Sequence, residues 1–139
     1  MKNLSYLLMQ TTRQLKNSLD KKLSEYNITA SQFSVLYQIS NKNGLITSAE
    51  IADALGLDRP TISGIISRLE GKGMIERITN PSDKRSAYLK LPEEAIQLTA
   101  TLKEISDQLT QDIFRDLDEE EKHQLEKYLL RIIETAAKC

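Results

Sequence analysis

The chain has 139 residues, 40% of them apolar and 28% charged, with a net charge of −1 and a single cysteine. That length fits one domain with a core of its own, and with no run of about 18 or more apolar residues a membrane-spanning helix is excluded. One thiol excludes an internal disulfide, and no basic segment with an apolar stretch and small-residue cleavage site opens the chain, so a cytoplasmic protein is expected.

Residues 4 to 25 predict a first helix, with Leu4, Leu8, Leu15, Leu19 and Leu23 at helical spacing and Arg13, Lys16, Asn17, Asp20 and Lys21 on the other face. A second helix opens at Thr29, where Thr29-Ala30-Ser31-Gln32 fits a capping box. Its apolar stripe is Phe33, Leu36, Tyr37 and Ile39, and it ends by Gly44. The third helix starts at Thr47, with Glu50 placed to reach back to the Thr47 amide, and Gly56 supplies the left-handed conformation that stops it. Leu57 alone separates that stop from Asp58, the cap of a fourth helix with Pro60 in its first turn. So short a connection holds two helices at a steep angle, the geometric core of a helix-turn-helix.

In the fourth helix Ile62, Ile65, Ile66 and Leu69 form the inward stripe. Arg59, Thr61, Ser63, Gly64, Ser67 and Arg68 remain on an outer face that is small, rich in hydroxyls and tipped with guanidinium groups. A glycine inside an exposed helix costs about 1 kcal/mol relative to alanine, which points to close approach of a partner. An ordinary solvated face with an indifferent glycine fits the same residues, and the pattern alone leaves both readings open.

Gly71-Lys72-Gly73 breaks this helix, after which residues 74–79 and 86–91 alternate with period two. Asn80-Pro81-Ser82-Asp83-Lys84-Arg85 between them is dense in turn formers and carries adjacent cations at a hairpin tip. Pro92, Glu93 and Glu94 begin a long helix striped by Leu98, Leu102, Ile105, Leu109 and Ile113. Asp118 begins a last one, striped by Leu125, Tyr128, Leu129, Ile132, Ile133 and Ala136.

The predicted fold is therefore mainly α with a small β-hairpin wing. A winged helix-turn-helix occupies residues 29–91, within a single domain of residues 1–139. The amphipathic helices of residues 1–26 and 93–139 are well placed to pair two copies across a two-fold axis, although an intrachain bundle would use the same stripes. Charge is segregated along the chain: residues 56–92 hold seven basic and four acidic side chains, whereas residues 93–139 hold six basic and twelve acidic. Phosphate responds to the local field, so double-stranded DNA remains a fitting partner despite the acidic total.

Glu50-Ile51-Ala52 with Leu55-Gly56-Leu57, Arg68-Leu69-Glu70 followed by Gly73-Met74-Ile75-Glu76-Arg77, and Asp83-Lys84-Arg85 at a hairpin tip together resemble the MarR family of bacterial transcriptional regulators. The likeness runs from Ile28 to the closing helix. It implies a homodimeric repressor or activator, with recognition helices in successive major grooves of a pseudo-palindromic operator and wings in the flanking minor grooves. Residues 59–68 would then enter the major groove, with Arg59, Thr61, Ser63, Ser67 and Arg68 facing bases and nearby phosphates. Arg85 would enter the minor groove with Asp83 holding its guanidinium by a paired hydrogen bond, and Lys72, Arg77 and Lys84 would contact phosphates. Ser48, with the free amides at the start of the third helix, would hold another phosphate.

The resemblance also implies a small-molecule effector, bound where the terminal helices meet the DNA-binding lobe. The family's thiol-based peroxide sensors carry their cysteine in the N-terminal helix. This chain has none there, and Cys139 is read as an unactivated terminal thiol. The lone His123 beside acidic neighbours does not make a metal site. No nucleophilic triad or glycine-rich phosphate loop is present, so neither an enzyme nor a cofactor is expected. The competing reading is a winged-helix module whose recognition face docks a protein instead of DNA.

Overall fold

The computed structural model, which describes residues 3–83 and 85–139, is mainly helical with one antiparallel strand pair. Helices α1 (Leu4–Leu23), α2 (Ala30–Asn41), α3 (Ser48–Leu55) and α4 (Arg59–Gly71) precede strands β1 (Glu76–Thr79) and β2 (Ala87–Lys90), and α5 (Glu93–Ile113) and α6 (Glu119–Ala136) follow. The chain divides into two compact units, Met1–Ser106 and Asp107–Cys139.

Local chemistry sets most of the helix starts. α2 opens at a reciprocal capping box in which the Thr29 hydroxyl accepts the Gln32 backbone N–H at 3.1 Å and the Gln32 side-chain Oε1 accepts the Thr29 N–H at 3.0 Å. The Asp20 carboxylate, from the last turns of α1, accepts the Ala30 N–H at 2.6 Å and ties the two helices together. Thr47 with Glu50 and Asp118 with Glu121 cap α3 and α6 in the same way. The first helix is shorter than the 4–25 span that its periodicity predicts. Its end tightens into a 3-10 turn over Ser24–Tyr26 and stops at Asn27, which is left-handed at φ 56°. Asparagine enters that conformation more readily than other side-chain-bearing residues.

In the larger unit, Leu36 and Ile39 of α2, Ile51 of α3, Ile62, Ile66 and Leu69 of α4 and Leu89 of β2 are wholly or almost wholly buried in one cluster. Each such side chain removed from water stabilises the fold by about 1.5–3 kcal/mol. The hairpin pairs Glu76 with Lys90 through to Thr79 with Ala87. It is shorter than the alternation over 74–79 and 86–91 predicts, because the Met74 N–H is taken by the Leu69 carbonyl at 2.9 Å as α4 ends. Ile46, just ahead of α3, forms an isolated antiparallel bridge to Leu89, whose N–H donates to the Ile46 carbonyl at 2.9 Å. Thr99 of α5 is buried, and its hydroxyl has no partner among the described residues.

In the smaller unit, Phe114, Leu125, Leu129, Leu130 and Ile133 line an apolar groove of about 480 Å³. No residue of α6 is buried; Leu130 is 58% exposed and Ile133 64%. Cys139 is exposed. Among the described residues no helix is long and apolar enough to cross a membrane.

Candidate nucleic-acid interface

The geometry of α4 follows from its two ends and one stripe. Gly56 closes α3 at φ 66°, with the Leu57 N–H donating to the Ala52 carbonyl at 3.1 Å, and α4 begins three residues later. Asp58 caps it by accepting the Thr61 N–H at 2.7 Å. That backbone bond, with a second from the Thr61 side chain, holds the Asp58 carboxyl below the usual aspartate range. Because Ile62, Ile66 and Leu69 face inward, Arg59, Thr61, Ser63, Gly64, Ser67 and Arg68 all lie exposed. A Cβ built on Gly64 would meet nothing within 4 Å, so the fold itself does not require glycine there. Ser48, the first residue of α3, is half-buried beside its cap.

The hairpin turn is organised by Asn80, which in the sequence is one turn former among several. Its buried side chain accepts the Ser82 N–H at 2.9 Å and donates to the Ser86 hydroxyl at 3.2 Å, closing the loop from within. The Arg85 side chain is 93% exposed at the tip. Asp83 does not grip it by a paired fork. One carboxylate oxygen accepts the Arg85 backbone N–H at 3.0 Å, and the guanidinium reaches that same oxygen only through Nε at 3.4 Å. Two residues of separation favour the turn over the fork. Lys84 lies outside the described residues.

Two of the predicted phosphate contacts have partners inside the chain. The Lys72 ammonium donates to the Asn27 carbonyl at 2.6 Å, tying the end of α4 to the turn after α1. Arg77 donates Nε and Nη2 to the two carboxylate oxygens of Glu70, each at 2.9 Å. That hydrogen bond raises the already high pKa of Arg77 and leaves its charge state unchanged. No sequence period flagged Glu70, because its partner lies across a chain reversal. Among the described residues no group of three or more His, Cys, Asp or Glu is placed to hold a metal ion.

An exposed, hydroxyl-rich helix standing after a short turn, followed by a hairpin with an exposed arginine, defines a winged helix-turn-helix protein of the DNA-binding class. A family model described as the MarR family matches residues 28–87. The multiple antibiotic resistance protein MarR of Salmonella typhimurium is 34% identical over 131 residues, spanning 94% of this chain and 88% of that protein. The transcriptional regulator SarZ of Staphylococcus haemolyticus is 29% identical over 130 residues, spanning 94% and 86%. Among solved structures, the S. aureus MepR–DNA complex superposes with a TM-score of 0.90 at 28% identity, over 97% of this chain and 99% of that one. A mutant E. coli MarR complexed with operator DNA superposes with a TM-score of 0.85 at 29% identity, over 93% and 92%. The chain belongs to the MarR family, whose members are DNA-binding transcriptional regulators and not enzymes.

Proposed function

We propose that the protein is a cytoplasmic repressor that binds a pseudo-palindromic operator as a homodimer and is released by a small-molecule ligand. The observation that carries the DNA half of this reading is the outer face of α4. Every predicted base-facing side chain on it is exposed, and the one position without a side chain has open space above it. Arg59 and Arg68 suit bidentate contact with guanine, and Thr61, Ser63 and Ser67 suit either base edges or phosphate oxygens. Arg85 enters the minor groove, where narrow A·T-rich DNA concentrates negative potential, and Lys84 contacts a phosphate. Asp83 keeps the turn that presents Arg85 closed, and Ser48 takes a phosphate at the start of α3. Lys72 and Arg77, expected as phosphate contacts, each have a partner of their own in the chain.

The dimer half rests on the uncovered apolar residues of α6 and on the exposed Leu4, Tyr6, Leu8 and Met9 of α1. Two copies joined through the terminal helices, residues 1–26 and 93–139, present two recognition helices about one DNA turn apart. A ligand releases the operator by binding one dimer shape more tightly than the other.

The test is titration of the full chain against the DNA upstream of its own gene at several salt concentrations. Specific binding that weakens steeply with salt is expected, with Arg85→Ala costing affinity. Binding that ignores salt, or none to any genomic fragment, points instead to a protein-docking module.

A further inference from the structure

Glu70 and Arg77 stand on either side of the break where α4 gives way to the hairpin. They are not helical neighbours, and their paired hydrogen bonds exist only because the chain reverses between them. Gly73 takes the left-handed conformation at φ 73°, its N–H donates to the Glu70 carbonyl at 2.9 Å, and the next N–H, of Met74, donates to the Leu69 carbonyl at 2.9 Å. Glu70 thus meets the hairpin root twice, through its carbonyl and through its carboxylate. Leu69 and Ile75, both buried, anchor the root from below.

The rest of the hairpin has little apolar anchorage of its own. All four residues of β1 are exposed, and β2 buries only Leu89. The pitch of the wing is therefore set at its root, where Leu89, opposite Arg77, is bonded to Ile46 on one side and Arg77 faces α4 on the other. There the Glu70–Arg77 pair is the one direct side-chain ion pair between helix and strand among the described residues. A cation already matched by a carboxylate differs from a free one in a further respect. A phosphate would have to displace Glu70 and leave that carboxylate unpaired beside the DNA backbone, and a cation that stays paired displaces no counterion from DNA.

We infer that Glu70 and Arg77 are positioning residues that set the angle of the wing relative to the recognition helix, and that Arg77 is not a phosphate contact. The inference rests on the DNA-binding reading above and adds to it the determinant of where Arg85 is presented. It also replaces the phosphate role that the family resemblance implies for Arg77.

The experiment uses the full chain and its Glu70→Gln, Arg77→Gln and combined Glu70→Arg/Arg77→Glu variants. Each is titrated with operator DNA across a salt series, and hydrogen exchange of the β1 and β2 amides is followed without DNA. Each single variant is expected to weaken operator binding by about two- to fivefold, the scale of a partly exposed ion pair. It should leave the slope of log affinity against log salt unchanged and speed amide exchange in the hairpin. The reversed pair should recover affinity and slow exchange again, which separates loss of the link from general damage to the fold. Two outcomes overturn the inference: tighter binding by Glu70→Gln, or a salt slope lowered by about one in Arg77→Gln with hairpin exchange unchanged. Either makes Arg77 a phosphate contact screened by Glu70. Since the exchange arm needs no DNA, a wild-type chain that binds no operator defeats the proposed function while the link itself is still tested.

Discussion

A glycine in the middle of an exposed helix weakens that helix by about 1 kcal/mol relative to alanine, and at Gly64 nothing in the surrounding fold needs the missing side chain. Two measurements on one variant should therefore move in opposite directions. Gly64→Ala is expected to raise the unfolding free energy by about 1 kcal/mol in a denaturant melt and, on the proposed DNA-binding reading, to weaken operator binding, because the added methyl would stand on the face of α4 turned to DNA. If the variant is more stable and binds equally well, this part of α4 does not approach a ligand closely. Asp58, at the start of the same helix, gives a pH signature. Its folded pKa is depressed, so its contribution to stability is present above the ordinary aspartate range and is lost as pH falls through the folded value. Asp58→Asn keeps an oxygen for the Thr61 N–H but cannot titrate. In acid melts the wild-type chain should lose stability more steeply than the variant below the usual aspartate pKa, and parallel curves would remove Asp58 as the cause.

At the scale of elements, the capping boxes matter most. Thr47→Ala leaves the Glu50 N–H without the hydroxyl that accepts it at 3.2 Å, and is expected to destabilise the chain by about 1 kcal/mol in thermal or chemical unfolding. Features of this kind were legible in the sequence because they are local: a cap and its partner lie three residues apart, and an inward stripe repeats every turn. The boxes at Thr29 and Thr47, the stop at Gly56 and the outer face of α4 were all readable for that reason. Contacts between distant residues are not legible in this way. Lys72 meets a carbonyl 45 positions away, Leu89 bridges to Ile46, and Glu70 finds Arg77 across a reversal; none leaves a period in the chain. The strands came out shorter than their alternation because the end of a helix competed for the Met74 amide. In place of the Asp83–Arg85 fork stands a turn, because at two-residue separation the Asp83 carboxylate is better placed to accept the Arg85 backbone N–H.

At the scale of the molecule, an overall charge near zero conceals a basic middle and an acidic end, and the apolar surface is unevenly placed as well. Tyr128, Leu130, Ile132 and Ile133 of α6 all stand exposed in the single chain. Ile133→Glu changes a side chain with little burial to lose, so its direct effect on the stability of one chain should fall within about 0.5 kcal/mol. A dimer built on this face would not tolerate it. Sedimentation should give twice the 15.8 kDa chain mass for wild type and a value near the chain mass for the variant, with operator affinity falling alongside. A variant that remains dimeric would move the interface elsewhere.

The bridge between Leu89 and Ile46 has a mechanical consequence. Leu89 belongs to the hairpin, whereas Ile46 immediately precedes Thr47, whose hydroxyl and carbonyl shape the first turn of α3. The hairpin is thus a lever with a long exposed arm and a short buried one, and the short arm is fastened to the doorstep of α3. If the tip enters a groove as proposed, a groove too wide or too narrow would load the entry of the helix-turn-helix through this one bridge.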